Sequence, residues 1–315
     1  MMADQLIFDL RFTIYDRRSE IANRKSETQL FVNGDTAMHR LIKLCSCIFI
    51  GLISTALAQE LGKAELDSGV NFIATQVYSQ DENAKILKLY EGLRVADVSD
   101  GMDIVGLPGT GLVDPAIHAD WIDTETMTHH MRGIAMTARY VPTQRRDRPL
   151  PEEDFQQWEG NFYNAYSHEA FTKIIRPGTV VVIDDVEDKD IGSIGSFNIL
   201  AWHKSGAVGV VTDACARDTD EIAIQKVPLY LRQKGRGIRP GRNELESVNR
   251  PVVIGGVLVC PGDVVVADGD GVIVVPRGVA EQVAKHAREI LTKDKAGRKG
   301  LYESLGRPLD QTVKE

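Results

Sequence analysis

GTVVVID (residues 178–184) and GSFNILAWHKSGAVGVVTDACARD (195–218) decide the fold. The first is a short β-branched run and reads as a strand. In the second, 198–205 reads as helix and 206–212 as strand. Strand, helix and strand in that order mark two parallel strands joined by a crossover helix. The second strand carries the apolar run Ala207-Val208-Gly209-Val210-Val211, and the stretch ends in adjacent Arg217 and Asp218. Arginine grips a carboxylate in a planar, bidentate way. A cation such as magnesium keeps several waters, so one or two carboxylates suffice to hold it. The pair therefore suits a 2-oxo acid presented to a divalent metal. On spacing alone, a surface salt bridge is the commoner explanation of such a pair.

Working outward, residues 81–93 (DENAKILKLYEGL) place Ile86, Leu87, Leu89, Tyr90 and Leu93 at helical spacing. In 95–102 (VADVSDGM), Asp97, Ser99 and Asp100 cap a short helix or line a cleft. GLPGTG (106–111) is loop, and no Gly-Lys-Ser/Thr follows to make it a phosphate loop. Residues 133–141 (GIAMTARYV) read as a strand. A polar, proline-containing segment at 143–154 is followed by 155–175, read as one helix with Phe155, Trp158, Phe162, Tyr163 and Tyr166. Those aromatics either pack a core or wall a substrate pocket. Residues 252–259, 263–267 and 271–275 read as strands, and 279–294 as an amphipathic helix. Asp268-Gly269-Asp270-Gly271 resembles the start of a calcium loop, but the later bidentate acid is missing, which leaves a tight turn. LRQKGRGIRPGRNE (231–244) is basic and glycine-rich. It is a solvated loop, or a flap on which Arg236, Arg239 or Arg242 receives an anion.

The chain has 315 residues, a net charge of −8 and a pI near 5.5. An acidic chain argues against nucleic acid as a partner. The four cysteines, Cys45, Cys47, Cys215 and Cys260, form no CxxC pair for structural zinc. His129-His130 have no third ligand at metal spacing, and His168 and His203 fall on predicted helices. Residues 38–60 (MHRLIKLCSCIFIGLISTALAQE) combine a basic start, an apolar stretch too short for a stable membrane span, and a small-residue end at Ala58. That is the layout of a secretory signal peptide over 38–58. Residues 1–37 are then an upstream artefact or an extension, and the exported, periplasmic protein is a single domain over 59–315 with an insertion at about 143–171.

VADVSDGM, GIAMTARYV, GTVVVID, GAVGVVTDACARD (206–218) and PVVIGGVLVCPGDVVVADGDGVIVVP (251–276) together resemble the RNase E activity regulator A-like family. That family includes class II aldolases for 4-hydroxy-4-methyl-2-oxoglutarate and 4-carboxy-4-hydroxy-2-oxoadipate. The resemblance implies an α/β fold of the layered β/β/α swivelling-domain type, assembled as a homotrimer or hexamer. It implies that Arg217 binds a substrate carboxylate and Asp218 a divalent metal, magnesium or manganese. It implies that the backbone of Gly195, Ser196, Phe197 and Asn198 orients the pyruvoyl group. The family's motif is an acid, twenty residues, then Arg-Asp; here Ser196 stands at the acid's position. Metal and 2-oxo-acid binding thus carry over more fully than aldol cleavage. The expected activity is metal-dependent carbon–carbon cleavage of a small 2-oxo acid, by retro-aldol reaction or oxaloacetate decarboxylation. The alternative is a non-enzymatic regulator that binds a small acid or a protein. A methyltransferase is disfavoured, because no glycine-rich strand–turn–helix is present for a nucleoside cofactor.

Overall fold

The computed structural model describes residues 62–145, 151–186 and 190–314. These fall in two compact units divided after Val70. The first is represented by helix α1 (Lys63–Ser68). The second carries every other element. The signal-peptide reading, with Cys45 and Cys47, lies outside the described residues, as do 146–150 of the insertion.

The second unit is built on a mixed sheet. Its strands are β1 (His118–Ala119), β2 (Met131–Pro142), β3 (Thr179–Asp184), β4 (Gly192–Ile194), β5 (Ala207–Ala216), β6 (Leu229–Lys234), β7 (Asn243–Val248), β10 (Val264–Asp268) and β11 (Gly271–Val275). The main path runs β1-β6-β5-β3-β2-β10-β11, with β4 on β5 and β7 on β2. The parallel pairing expected from 178–218 is present: Val180 to Ile183 of β3 face Gly209 to Thr212 of β5. Helix α5 (Ser196–Lys204) is on the crossover between them.

Side chains alternate along these strands, so each strand feeds two cores. Val180 and Val182 of β3, Val265 and Ala267 of β10, and Val272 and Val274 of β11 fill one core inside the curled sheet. It is plugged by the hairpin β8 (Val252–Ile254) and β9 (Val257–Val259). The neighbouring residues point outward. Val181 and Ile183 pack with Ile199 and Trp202 of α5 and with Ile222 of α6 (Thr219–Gln225). Val264, Val266, Ile273 and Val275 pack against α2 (Gln80–Leu89), α3 (Val95–Ile104) and α7 (Ala280–Ser304). Fully burying such a side chain is worth about 2 kcal/mol. The result is a mixed α/β fold, as read from the sequence.

Three local readings are corrected. The helix expected over 155–175 ends as α4 at Phe155–Ala165, and a 3-10 turn follows at Ala170–Ile174. The carbonyl of Tyr166, needed to continue the helix, instead accepts from the amide of Leu245 on β7 at 2.8 Å. His168 accordingly lies off any helix. The strand expected over 252–259 folds back on itself. Gly255 and Gly256 take φ of 49° and 81°, the two left-handed positions of a tight hairpin turn. The loop expected over 231–244 gives its ends to β6 and β7, where Leu231 and Asn243 are buried, and only its centre stays irregular. Asp268-Gly269-Asp270-Gly271 is a two-residue hairpin turn: Asp268 pairs with Gly271, and its carboxylate accepts from the amides of Val95 and Asp270.

Candidate active site

Strand β4 lies parallel to the end of β5, with Gly192 opposite Cys215 and Ile194 opposite Ala216. The pairing continues one residue further, where the Arg217 amide donates to the Ile194 carbonyl at 2.8 Å. The chain then turns into α5 on one side and α6 on the other. This brings the N-terminus of α5 against Arg217 and Asp218.

Two glycines permit that approach. A Cβ at Gly192 would sit 2.6 Å from the Arg217 Cβ, and a Cβ at Gly195 would sit 2.8 Å from Asp218 Oδ2. Asp218 itself is left-handed, with φ 58° and ψ 36°, a region that aspartate tolerates better than most residues. Aspartate at the start of a helix ordinarily caps it. Here the carboxylate makes no cap to α6; its Oδ2 accepts from the Ser196 amide at 3.3 Å and lies 4.0 Å from Arg217 Nε. A strained backbone that turns a carboxylate away from its local partner is the pattern of a functional site.

Helix α5 has no side-chain cap. The first-turn amides of a helix have no intrahelical acceptor and favour negative charge. With the Ser196 amide given to Asp218, the amides of Phe197 and Asn198 remain for a ligand. The Phe197 side chain is 82% exposed. The Arg217 side chain is 36% exposed, and its buried Nε has no hydrogen-bond partner.

A cavity of about 360 Å³ adjoins this turn, and Gly195, Asn198 and Arg217 line it. Two others, of about 340 and 630 Å³, contain none of these residues. The loop between α4 and the 3-10 turn walls the cavity, so the pocket-wall reading of the insertion fits its position. It delivers Glu169, which accepts from Asn198 Nδ2 at 2.6 Å and Trp202 Nε1 at 2.9 Å. One helical turn separates those two donors, so both grip it from one face of α5. Glu169 also pairs with Arg239 Nη2 at 2.5 Å, and Arg239 Nη1 donates to the Tyr140 hydroxyl at 2.7 Å. Burial works against the charge of Arg239, and Tyr140 and Glu169 more than offset it. Among the three flap arginines, only Arg239 lines the cavity. Arg236 pairs with Asp190, and Arg242 donates to the Ile238 carbonyl.

Behind the loop is a buried polar network. Asp185 accepts from Ser193 Oγ and from Asn243 Nδ2, and Asn243 Oδ1 accepts from Ser167 Oγ. It ties β4, β7 and the insertion together and holds Gly192–Ile194 in place. Glu169 and this network escaped the sequence reading. Their one signal was polar residues at positions flanked by buried apolar ones, as at Ser193 between Gly192 and Ile194.

Among the described residues, no three His, Cys, Asp or Glu side chains gather as a cage of protein ligands. The donor set is a single carboxylate, Asp218, 43% exposed and next in sequence to Arg217, which lines the cavity. This fits a hard cation that completes its shell with waters and substrate oxygens, as magnesium does. It does not fit zinc, which takes several nitrogen or sulfur ligands. His129 and His130 stack edge to face at 4.4 Å, away from this set. Cys215 and Cys260 form no disulfide.

The chain resembles known proteins over this region. A "Putative 4-hydroxy-4-methyl-2-oxoglutarate aldolase" of Halalkalibacterium halodurans is 31% identical over 130 residues, 41% of this chain and 61% of that protein. Protein DlpA of Legionella pneumophila is 24% identical over 192 residues, 60% of this chain and 27% of DlpA. The chain thus spans less than two thirds of the length of either relative. An uncharacterized protein from Pseudomonas syringae pv. tomato has a solved structure that matches at a TM-score of 0.52 and 25% identity, over 73% of this chain and 98% of that one. Streptomyces coelicolor RraAS2 matches at a TM-score of 0.56 and 20% identity, over 69% of this chain and 98% of that one, and shares the fold. The family model described as "RraA-like: Aldolase/RraA" matches residues 95–274, more than half of the sequence, and the chain belongs to that family.

Proposed function

We propose that the protein is a lyase that cleaves a carbon–carbon bond in a small 2-oxo acid, with a divalent cation held by Asp218. The observation that carries this reading is the convergence of Arg217, Asp218 and the α5 N-terminus on Gly195, beside one cavity. Arg217 binds the substrate carboxylate, because its buried Nε lacks a partner and the residue lines the cavity. The amides of Phe197 and Asn198 donate to the pyruvoyl oxygens, where negative charge develops as the bond breaks. Glu169 does not act as a base: three donors hold it, and its work is to fix Asn198 and Trp202. When bound, a divalent cation would supply Lewis-acid stabilisation of that developing charge. Ser196 positions a water for proton delivery but does not itself take a proton near neutral pH.

Names borne by the curated relatives support the aldolase class. Purified protein with magnesium or manganese is expected to release pyruvate from oxaloacetate or from a 4-hydroxy-2-oxo acid. No pyruvate from any of these would move the protein to a binding role on the same fold. We further propose export through the 38–58 signal, tested by finding the protein in a periplasmic fraction with an N-terminus near Gln59.

A further inference from the structure

The cavity beside Arg217 is larger than a three-carbon acid requires. Even at the ~30 Å³ that a water takes in the liquid, six heavy atoms fill only about half of 360 Å³. The remaining wall comes from the insertion and from Arg239. Its polar groups are of both kinds: Tyr163 and His168 can each donate and accept, and Asn164 carries a carbonyl and an amino group. Among the described residues, nothing donates to or accepts from these three side chains. Arg239 is 5% exposed, its guanidinium lies 5.2 and 5.3 Å from the Tyr140 and Tyr163 ring centroids, and its buried Nε has no partner. Its charge, however, is already met by Glu169 at 2.5 Å.

That last fact separates two kinds of ligand. A second carboxylate accepts hydrogen bonds only and would meet the Glu169 charge. A hydroxyl both donates and accepts, and can use Arg239 Nε and the Tyr163, Asn164 and His168 groups without adding charge. We infer that the insertion side of the cavity is a subsite for hydroxyl groups, and that the substrate is a 2-oxo acid with a polyhydroxylated tail, such as a 2-oxo-3-deoxy sugar acid. Tyr163, Asn164, His168 and Arg239 determine this specificity.

The inference rests on the proposed 2-oxo-acid site, and its test is equilibrium binding rather than turnover. Calorimetry with magnesium would compare 5,6-dihydroxy-2-oxohexanoate, which keeps a hydroxylated tail but lacks the 4-hydroxyl that retro-aldol cleavage needs, with 2-oxoglutarate and 2-oxobutyrate on the purified protein. The hydroxylated acid is expected to bind at least about tenfold more tightly than either other acid, the worth of one or two good hydrogen bonds. Asn164→Ala and Tyr163→Phe, both on the cavity rim, should bring that ratio towards one. Equal binding of all three acids, tighter binding of 2-oxoglutarate, or an unchanged ratio in both variants would overturn the hydroxyl subsite while leaving the 2-oxo-acid site intact. Failure of all three acids to bind would overturn both.

Discussion

The Gly195 Cα faces the Asp218 carboxylate across a gap too small for a methyl group, since a Cβ would fall 2.8 Å from Oδ2. The obstacle is the end of a side chain rather than backbone, so Gly195→Ala should fold. The carboxylate must yield instead. A displacement near 1 Å at a reacting centre can cost about a hundredfold in rate. Gly195→Ala is therefore expected to lower kcat/KM by about that factor with an unchanged melting temperature. Parallel losses of both would mean that the glycine serves packing only. Ser196 offers the reverse experiment: Ser196→Glu puts an acid at the position where the motif implied by the family resemblance has one. If water is under-organised there, pyruvate release should rise at least about tenfold. At this scale the sequence was informative where chemistry is compact. Arg217, Asp218 and the 195–198 segment, which the structure makes the N-cap and first turn of α5, could be picked out because they are adjacent or share one motif. Glu169 was not, because its partners Asn198, Trp202 and Arg239 lie 29 to 70 residues away.

Helix α5 is tied to the insertion through Glu169 and to the sheet through Ile199 and Trp202. The Glu169–Arg239 pair has side chains 17% and 6% exposed. Removing one partner of a buried pair leaves the other charge uncompensated and costs about 3 kcal/mol or more. Glu169→Gln should therefore lower the unfolding free energy by about that amount in denaturant titration, whereas Asp190→Asn, at the exposed Arg236 pair, should change it far less. Similar losses would show that Glu169 is not structurally committed. The elements themselves were mostly predictable, since β3, β5, β10 and β11 are nearly continuous apolar runs. The helix over 155–175 was overextended because its apolar spacing persists past Ala165. What ends it is the claim of Leu245 on the Tyr166 carbonyl, a tertiary hydrogen bond that periodicity does not encode. The single strand expected over 252–259 is broken for a local reason: the adjacent Gly255 and Gly256 make a hairpin turn, and that signal is present in the sequence.

Across the whole molecule, stability should depend on pH through buried His129 and half-buried His130 as well as the carboxylates. Burial lowers the pKa of His129 below the ordinary value near 6.5, and its Nδ1 accepts from the Asp123 amide, which needs the neutral ring. Burial also lowers His130, helped by His129 beside it. A base whose pKa is lower when folded binds fewer protons folded than unfolded. Its stabilisation is complete above about pH 6.5 and is lost as pH falls through the lower, folded value. Melting temperature is expected to drop between pH 7 and 5, and His129→Gln should flatten that slope; an unaltered slope would assign it to other groups. The mixed α/β architecture was legible from the family resemblance and from the strand–helix–strand order of 178–218, whereas the division into inner and outer cores was not, because nearly continuous apolar strands show no alternation. The central claim is that the β5 end and the α5 start together form one cation and 2-oxo-acid site. A crystal grown with manganese and oxalate, measured at the manganese edge, tests it most directly. The account requires an anomalous peak on the Asp218 carboxylate with oxalate bridging to Arg217 and the Phe197 and Asn198 amides. A manganese peak elsewhere, or oxalate bound away from Arg217, would contradict it.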